Sequence, residues 1–578
     1  MLERIHNEDI KKFTRSELNV LCDELRNVIK DTVLECGGHL ASNLGAVEST
    51  VALFYTFDFP KDKIVFDVGH QCYTYKLLSG RYERFSTLRQ ANGISGFPKR
   101  AESEYDCYDT GHAGTSVSAA LGFAKARDLL KDDYFVVAYI GDGSFNNGLI
   151  YEALNSLKIL NTKIFIVLND NGMSISPTVG GMHDILSDTM NAERAESVRL
   201  LEQFGLQYVG VKNGNDLDDM LDSMAQAKEM LQNGSVLLHI ATKKGKGYSF
   251  SEENPTDTHG VPPIASIAQK EYSSVLGESL CEMAESNEKV AVVSAAMKEA
   301  LGLSDFFERF ADRAFDVGIC EEHASVLCAS MAAGGLKPYY AIYSTFLQRA
   351  FDEIIHDVCL MDLPVTFCID RAGISGADGE THQGVFDLSY LSFIPNLAIA
   401  TPKDTTEFQA LLKLSENYRH PFAIRYPRAG KMLFPCNNQP IQIGEWEYIH
   451  QVDDAKLTIL AAGERCLTIA LSVLERLQEK GISFNVVNAR FIKPLDQKLL
   501  ANLQGTVVTI EDNVLLGGFG SLVNTHVIQS HLPLTVKNFA YRDEFIRQGG
   551  IAQLQKEYGV SCDEIEAFIE NVFMADQL

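Results

Sequence analysis

The sequence predicts an α/β protein of three domains with mostly parallel sheets. Three observations carry this. At 578 residues the chain is too long for a single hydrophobic core. Short apolar runs of strand length alternate with helical patterns along its whole length, the signature of parallel strands joined by crossover helices. The polar residues best suited to chemistry stand immediately after such runs, where open parallel sheets bind their ligands.

The first block spans residues 1–264. Its run at 134–140 (YFVVAYI) reads as a buried strand ending at Gly141-Asp142-Gly143, and its run at 163–168 (KIFIVL) as a second one ending at Asn169-Asp170-Asn171. Ser235–Ala241 (SVLLHIA) closes the block, and the Pro-containing polar stretch 249–263 reads as its exit loop. The second block, 265–430, opens with a helical run at 265–285. Strand-like runs follow at 290–295, 339–343, 365–369, 398–400 and 422–425. Residues 431–444, with Pro435, Asn437, Asn438 and Pro440, suit a linker into the third block, 431–578. That block repeats strand–helix units at 457–461, 484–487, 507–510 and 534–538.

Composition bounds the partners. Apolar residues make up 46% and charged residues 22%, as in globular proteins. A net charge of −26 argues against nucleic acid or an anionic membrane as partner, since either requires a basic face. The twelve cysteines form no C-x-x-C pair, which suits reduced thiols in a cytosol. The start MLERIHNEDI carries no apolar leader, and no stretch reaches the roughly 18 apolar residues of a membrane span. The expected location is therefore cytoplasmic.

Asp142 and Asn171 lie 29 positions apart, the length of one strand–helix–strand unit, so two strand ends can meet over one ligand. Both are hard oxygen donors suited to magnesium, which keeps its remaining positions for water and phosphate oxygens. The glycines permit close approach of a diphosphate. In so acidic a chain a divalent cation is the natural neutraliser: two unit charges 4 Å apart interact by about 4 kcal/mol at an effective dielectric near 20. The bland alternative is an acidic strand-end turn beside an Asx-rich loop. The pair at this spacing resembles the signature of thiamine-diphosphate enzymes.

Further motifs narrow the resemblance. Gly37–Ser42 (GGHLAS), 67–71 (DVGHQ), 102–106 (ESEYD), 169–176 (NDNGMSIS) and 244–248 (KGKGY) stand in the first block. The second has Glu321-Glu322-His323, 343–349 (YSTFLQR), 370–384 (DRAGISGADGETHQG) and 425–428 (RYPR). With these the chain, over residues 37–549, resembles the 1-deoxy-D-xylulose-5-phosphate synthase family of transketolase-like thiamine-diphosphate enzymes. A general transketolase would share the metal motif but not YSTFLQR followed by DRAG…GADG. The resemblance implies two thiamine-diphosphate-binding domains, one for diphosphate and magnesium and one for the aminopyrimidine, followed by a transketolase-like C-terminal domain in a homodimer.

It also implies roles. Asp142, Asn171 and the backbone carbonyl of Met173 would ligate magnesium. His70, Gly111, His112, Ala113, Gly143, Ser144 and Tyr248 would surround the cofactor, joined by Phe346, an aromatic that ordinary core packing would equally explain. Glu321 would hydrogen-bond the aminopyrimidine, whose tautomer must shift before the very weakly acidic thiazolium carbon can lose its proton; an exposed acid at a helix start is the alternative. Pyruvate and glyceraldehyde 3-phosphate, the implied substrates, are both anionic and call for arginines. The family pattern puts Tyr343, Arg371 and Arg428 at the acceptor phosphate and Arg89, Asp378 and His382 at pyruvate and its decarboxylation. His39 and His259 fall at positions of proton transfer. For an isolated arginine or histidine the ordinary reading is a surface charge or a structural hydrogen bond.

The chain departs from the family pattern in places. Ala113-Gly114 stand where two serines are usual, Ala429 where glycine is, Thr258 where an aromatic is common, and Asn146-Asn147 where residues are smaller. The span 176–204 is short for the family. These differences leave two rivals: the same cofactor and donor with another aldehyde or sugar-phosphate acceptor, and a catalytically silent cofactor-binding sensor.

Overall fold

The computed structural model describes residues 7–175, 177–191, 196–262, 272–428, 430, 434 and 440–575. These fall into two compact units. One comprises the first block with the short segments 317–320 and 377–381; the other comprises the rest of the second block together with the third.

In the first unit, β1 (Lys63–Phe66), β2 (Val136–Gly141), β3 (Phe165–Asp170), β4 (Leu206–Asn213) and β5 (Ser235–Ala241) form a parallel sheet in the order β1-β2-β3-β5-β4. Both faces are covered. Val137, Tyr139, Phe165 and Val167 enter one core cluster, and Val136, Ala138, Ile140, Ile166 and Leu168 the other. A strand buried on both sides reads as a continuous apolar run, which is why β2 and β3 were recognisable. Their register sets Gly141 beside Asn169, so Asp142 and Asn171 leave neighbouring strand ends. The stretch after β5 is more than an exit loop. It holds the helix Ser249–Glu253 and returns so that Val261 and Gly38 exchange backbone hydrogen bonds of 2.8 and 2.9 Å.

In the second unit, β6 (Val290–Ser294), β7 (Ala314–Asp316), β8 (Lys337–Tyr343), β9 (Thr366–Asp370), β10 (Ala398–Ala400) and β11 (Phe422–Arg425) belong to the second block. The third block contributes β12 (Glu447–His450), β13 (Leu457–Ala462), β14 (Asn485–Asn488), β15 (Phe491–Lys493), β16 (Gly505–Val514) and β17 (Leu534–Tyr541). One sheet runs β15-β10-β11-β9-β8-β6-β7, parallel except where β15 joins β10; the other runs β12-β14-β13-β16-β17, parallel except at β12. The third block thus lends a strand to the second block's sheet. Mostly parallel α/β architecture is as the sequence predicted. The strands it left unnamed, β1, β4, β7, β12 and β15, are short or flank a sheet with polar, partly exposed residues. The helix read over 265–285 is seen as Tyr272–Ser286, with 263–271 outside the described residues. Of the linker stretch, 429, 431–433 and 435–439 also lie outside them.

Candidate active site

Asp142 opens a short helix directly after β2 and is 2% exposed. Its Oδ2 accepts a hydrogen bond from Thr178 Oγ1 (2.5 Å) and its Oδ1 one from the Asn171 backbone N–H (3.4 Å). Burial, with Asp170 adding repulsion, pushes its carboxyl up to about 7. Asn171 Oδ1 is buried without a hydrogen-bond partner. The loop between them folds back, with Thr178 N–H on Gly172 O (2.9 Å) and Met173 bridged to Pro177; Ser176 lies outside the described residues. A Cβ on Gly143 would lie 2.8 Å from Ser174 Cβ, so only glycine fits there. Lys244, pushed down to about 8 by burial, donates to Ser174 O and feels the Asp142 charge. Among the described residues no three His, Cys, Asp or Glu side chains cluster as a metal site. One carboxylate with one amide oxygen nevertheless fits magnesium, which takes its other ligands from diphosphate and water. A bound cation would satisfy the orphaned amide oxygen of Asn171 and favour the ionised form of Asp142.

Three imidazoles form a triangle in the same unit. Ring centroids of His39, His70 and His259 lie 5.8 Å (39–70), 5.5 Å (39–259) and 5.5 Å (70–259) apart. Asn43, fully buried, ties two of them down, since its amide donates to both His39 O and His70 O at 2.7 Å. Removal from water, and repulsion from one another and from Lys244, pushes His70 and His259 well below the usual imidazole range. Both are therefore neutral at pH 7. His70 Nδ1 is buried without a hydrogen-bond partner. Gly69 (φ +88°) packs so tightly that a Cβ would meet Pro98 and Thr110 at 2.4 Å. Asp67 accepts from the N–H groups of Gly114 (2.8 Å) and Ser116 (3.0 Å), shaping the turn that follows His112 and Ala113.

The segment 377–381 completes this cluster. Arg89, itself at φ 61°, donates through Nη2 to Asp378 Oδ1 at 2.6 Å. His112 Nε2 pairs with Thr381 O at 2.8 Å, and Lys99 pairs with Glu380. A Cβ on Gly111 would fall 2.3 Å from Thr381 Cβ. Ser144 is buried two positions after Asp142, and Tyr248 packs on Phe250 at 6.1 Å and against the core.

The second unit carries the other candidates. Glu321 begins the helix Glu321–Ala333 and is 4% exposed, so it is not a surface acid. Burial, partly offset by Arg349, pushes its carboxyl up to about 7, and its Oε2 is buried without a hydrogen-bond partner. Tyr343 and Phe346 stack at 5.7 Å, and Phe346 meets the edge of His382 at 5.6 Å. The Arg371 guanidinium lies 4.3 Å over the Tyr343 ring and pairs with buried Asp370. Strand pairing explains the meeting, because Tyr343 is opposite Asp370 at the ends of β8 and β9. Arg428 is exposed, three residues beyond Arg425, which is opposite Ile369. Of the candidate residues the structure brings together Asp142 and Asn171, Arg89 and Asp378, and Tyr343 and Arg371. The sequence reading missed Asn43, Thr178 and Arg349 as individual residues.

Three family models match the chain: 1-deoxy-D-xylulose-5-phosphate synthase at residues 2–200, the transketolase pyrimidine-binding domain at 268–430 and the transketolase C-terminal domain at 444–565. With the mostly parallel sheets, they define a transketolase-type transferase of the thiamine-diphosphate class. Similar relatives carry the same name along nearly their whole length. The 1-deoxy-D-xylulose-5-phosphate synthase of Clostridium beijerinckii is 44% identical, covering 98% of each chain. That of Clostridium kluyveri is 42% identical over 96% of each, and that of Clostridium tetani 43% identical over 96% of this chain and 97% of its own. The chain belongs to the 1-deoxy-D-xylulose-5-phosphate synthase family. Among the described residues no helix is long and apolar enough to cross a membrane.

Proposed function

We propose that this chain decarboxylates pyruvate and transfers the remaining two-carbon unit to glyceraldehyde 3-phosphate, giving 1-deoxy-D-xylulose 5-phosphate and CO2 for isoprenoid precursor synthesis, with thiamine and pyridoxal precursors as further outlets. The observation that carries it is Glu321: a carboxyl buried without a partner for Oε2 and shifted to about 7, so that it holds a proton near neutrality. A catalytically silent cofactor binder need not retain such an acid.

Thiamine diphosphate, when bound, supplies the electron sink for loss of CO2. Asp142, Asn171 and the Met173 carbonyl would hold magnesium against its diphosphate, with His70, Gly111, His112, Ala113, Gly143, Ser144, Tyr248 and Phe346 lining the cofactor. Glu321 offers its proton to the aminopyrimidine nitrogen and so favours the tautomer able to take up a proton. His39 and His259 move protons to and from the reacting oxygens. Arg89, with Asp378 and His382, handles the pyruvate carboxylate and its departure. Tyr343, Arg371 and Arg428 receive the acceptor phosphate through charge-assisted hydrogen bonds. The same reading takes a homodimer as the assembled form and the cytoplasm as its compartment.

The rival with another acceptor rests on Ala113-Gly114 and on the short span 176–204. A Cβ at Gly114 would meet Asn147 Oδ1 at 2.4 Å, so the lost serine has a local packing cause. The test is a panel of phosphorylated and plain aldehydes offered with pyruvate. The reading expects the highest kcat/KM with glyceraldehyde 3-phosphate; preference for a plain aldehyde or a longer sugar phosphate would replace the acceptor.

A further inference from the structure

The loop 371–384 carries Arg371 at one end and His382 near the other, and its base is held from the third block. Asp512, at the buried end of β16, accepts the Ile374 N–H through Oδ1 at 3.1 Å. Arg465 Nη1 donates to the Ile374 carbonyl at 2.7 Å and to Asp512 Oδ2 at 2.9 Å. One ion pair therefore grips both backbone polar groups of a single loop residue. Tyr541 OH donates to Asp512 Oδ1 at 2.6 Å, and Arg425 Nη2 reaches the Asp512 carbonyl at 3.1 Å. Gly373 (φ +79°) makes room, since a Cβ there would lie 1.9 Å from Asp512 Oδ2.

The grip matters because the loop begins in an unfavourable conformation. Arg371 sits at φ 55°, a left-handed region that a non-glycine residue keeps only where the surroundings impose it. The hairpin pair Gly373–Gly384 (2.7 and 2.8 Å) closes the base, and Gln383 Oε1 accepts from Ser375 N–H at 2.6 Å. Ile374 is the residue through which the third block sets the direction of the Arg371 end.

We propose that Asp512 and Arg465 are positioning residues for acceptor recognition: the C-terminal domain acts in the reaction by clamping Ile374, which fixes Arg371 over Tyr343 where it meets the acceptor phosphate. This rests on the acceptor role proposed for Arg371. Neither Asp512 nor Arg465 touches substrate or cofactor; each acts through the loop.

The experiment compares Arg465→Met, Asp512→Asn and Arg371→Met in the full-length holoenzyme. Three quantities are read: KM for glyceraldehyde 3-phosphate, KM for unphosphorylated D-glyceraldehyde, and CO2 release from pyruvate in a single turnover without acceptor. The clamp predicts that Arg465→Met and Asp512→Asn each raise KM for the phosphorylated acceptor about tenfold. KM for plain glyceraldehyde and the CO2 release rate should stay within about twofold, and Arg465→Lys should restore part of the loss. Equal losses with both acceptors, or no change in KM, would overturn the clamp. If Asp512→Asn does not fold, Arg465→Met decides alone, because its side chain is partly exposed. Selectivity lost in Arg371→Met but kept in both clamp variants defeats the clamp and leaves the Arg371 reading standing. No selective effect in Arg371→Met defeats the Arg371 reading and the clamp with it.

Discussion

Asn147 stands where a side chain at position 114 would be. Its Oδ1 would lie 2.4 Å from a Cβ on Gly114, while its Nδ2 donates to Ile319 O at 2.9 Å and its Oδ1 accepts from Leu149 N–H at 3.1 Å. Gly114 and Asn147, two positions where the chain departs from the family pattern, contend for the same space.

Gly114 is at φ +84°, so a side chain there meets both strain and collision. Gly114→Ser is expected to weaken thiamine-diphosphate binding at least tenfold, and Gly114→Ser/Asn147→Gly to recover part of the loss, because only the collision is relieved. Isothermal calorimetry on the four proteins of the cycle measures the coupling, expected at about 1–3 kcal/mol for residues in direct contact. Simple additivity would mean that the two positions are independent.

Asp142→Ala should abolish activity and remove the dependence of cofactor binding on magnesium, since the diphosphate then loses its bridging cation. Titration of cofactor with and without magnesium gives the comparison. Undiminished, magnesium-dependent affinity in the variant would place the metal elsewhere.

Glu321 ties stability to pH. Its carboxyl is raised from 4.5 to about 7 in the folded protein. Between those values the native state holds a proton that the unfolded chain has released, so the contribution is full below 4.5 and gone above about 7. Stability of the cofactor-free protein should therefore fall with rising pH in that window, by up to about 1.4 kcal/mol per unit from this group. Glu321→Gln should flatten the slope in urea denaturation at pH 5, 6 and 7. The same variant, loaded with cofactor, should exchange the thiazolium proton orders of magnitude more slowly by quenched-flow NMR; wild-type exchange would remove Glu321 from that step.

Arg371 and Arg428 should each contribute charge-assisted hydrogen bonds to the acceptor phosphate of about 1.5–3 kcal/mol. Replacing either by Met is expected to raise KM for glyceraldehyde 3-phosphate roughly ten- to a hundredfold, at about 1.4 kcal/mol per decade. Release of CO2 from pyruvate alone should change little. Steady-state kinetics with phosphorylated and plain acceptors makes the distinction, and equal losses would assign these arginines to the fold or to the donor.

What was legible in the sequence follows from burial. Strands β2, β3 and β5 are covered on both faces, so their apolar runs are continuous and the residues just beyond them, Asp142 and Asn171, could be placed. Pairings between distant segments left no local trace. Arg89 and Asp378 are 289 positions apart, and Ile374 and Asp512 138 apart. Motif resemblance supplied the first of these pairs and could not supply the second. Asn43 and Thr178 are single polar residues whose spacing carries no period, and only the backbone groups and carboxylate they meet reveal their use. For Glu321 the flanking motifs outweigh the surface-acid alternative, and its burial excludes that alternative.

The central claim is tested most directly by 13C NMR of the products formed from [2-13C]pyruvate and glyceraldehyde 3-phosphate with magnesium and thiamine diphosphate. The account predicts a single labelled product whose ketone carbon belongs to 1-deoxy-D-xylulose 5-phosphate, formed in equal amount with CO2. Label ending in acetaldehyde or acetolactate instead, or remaining in pyruvate, would contradict it.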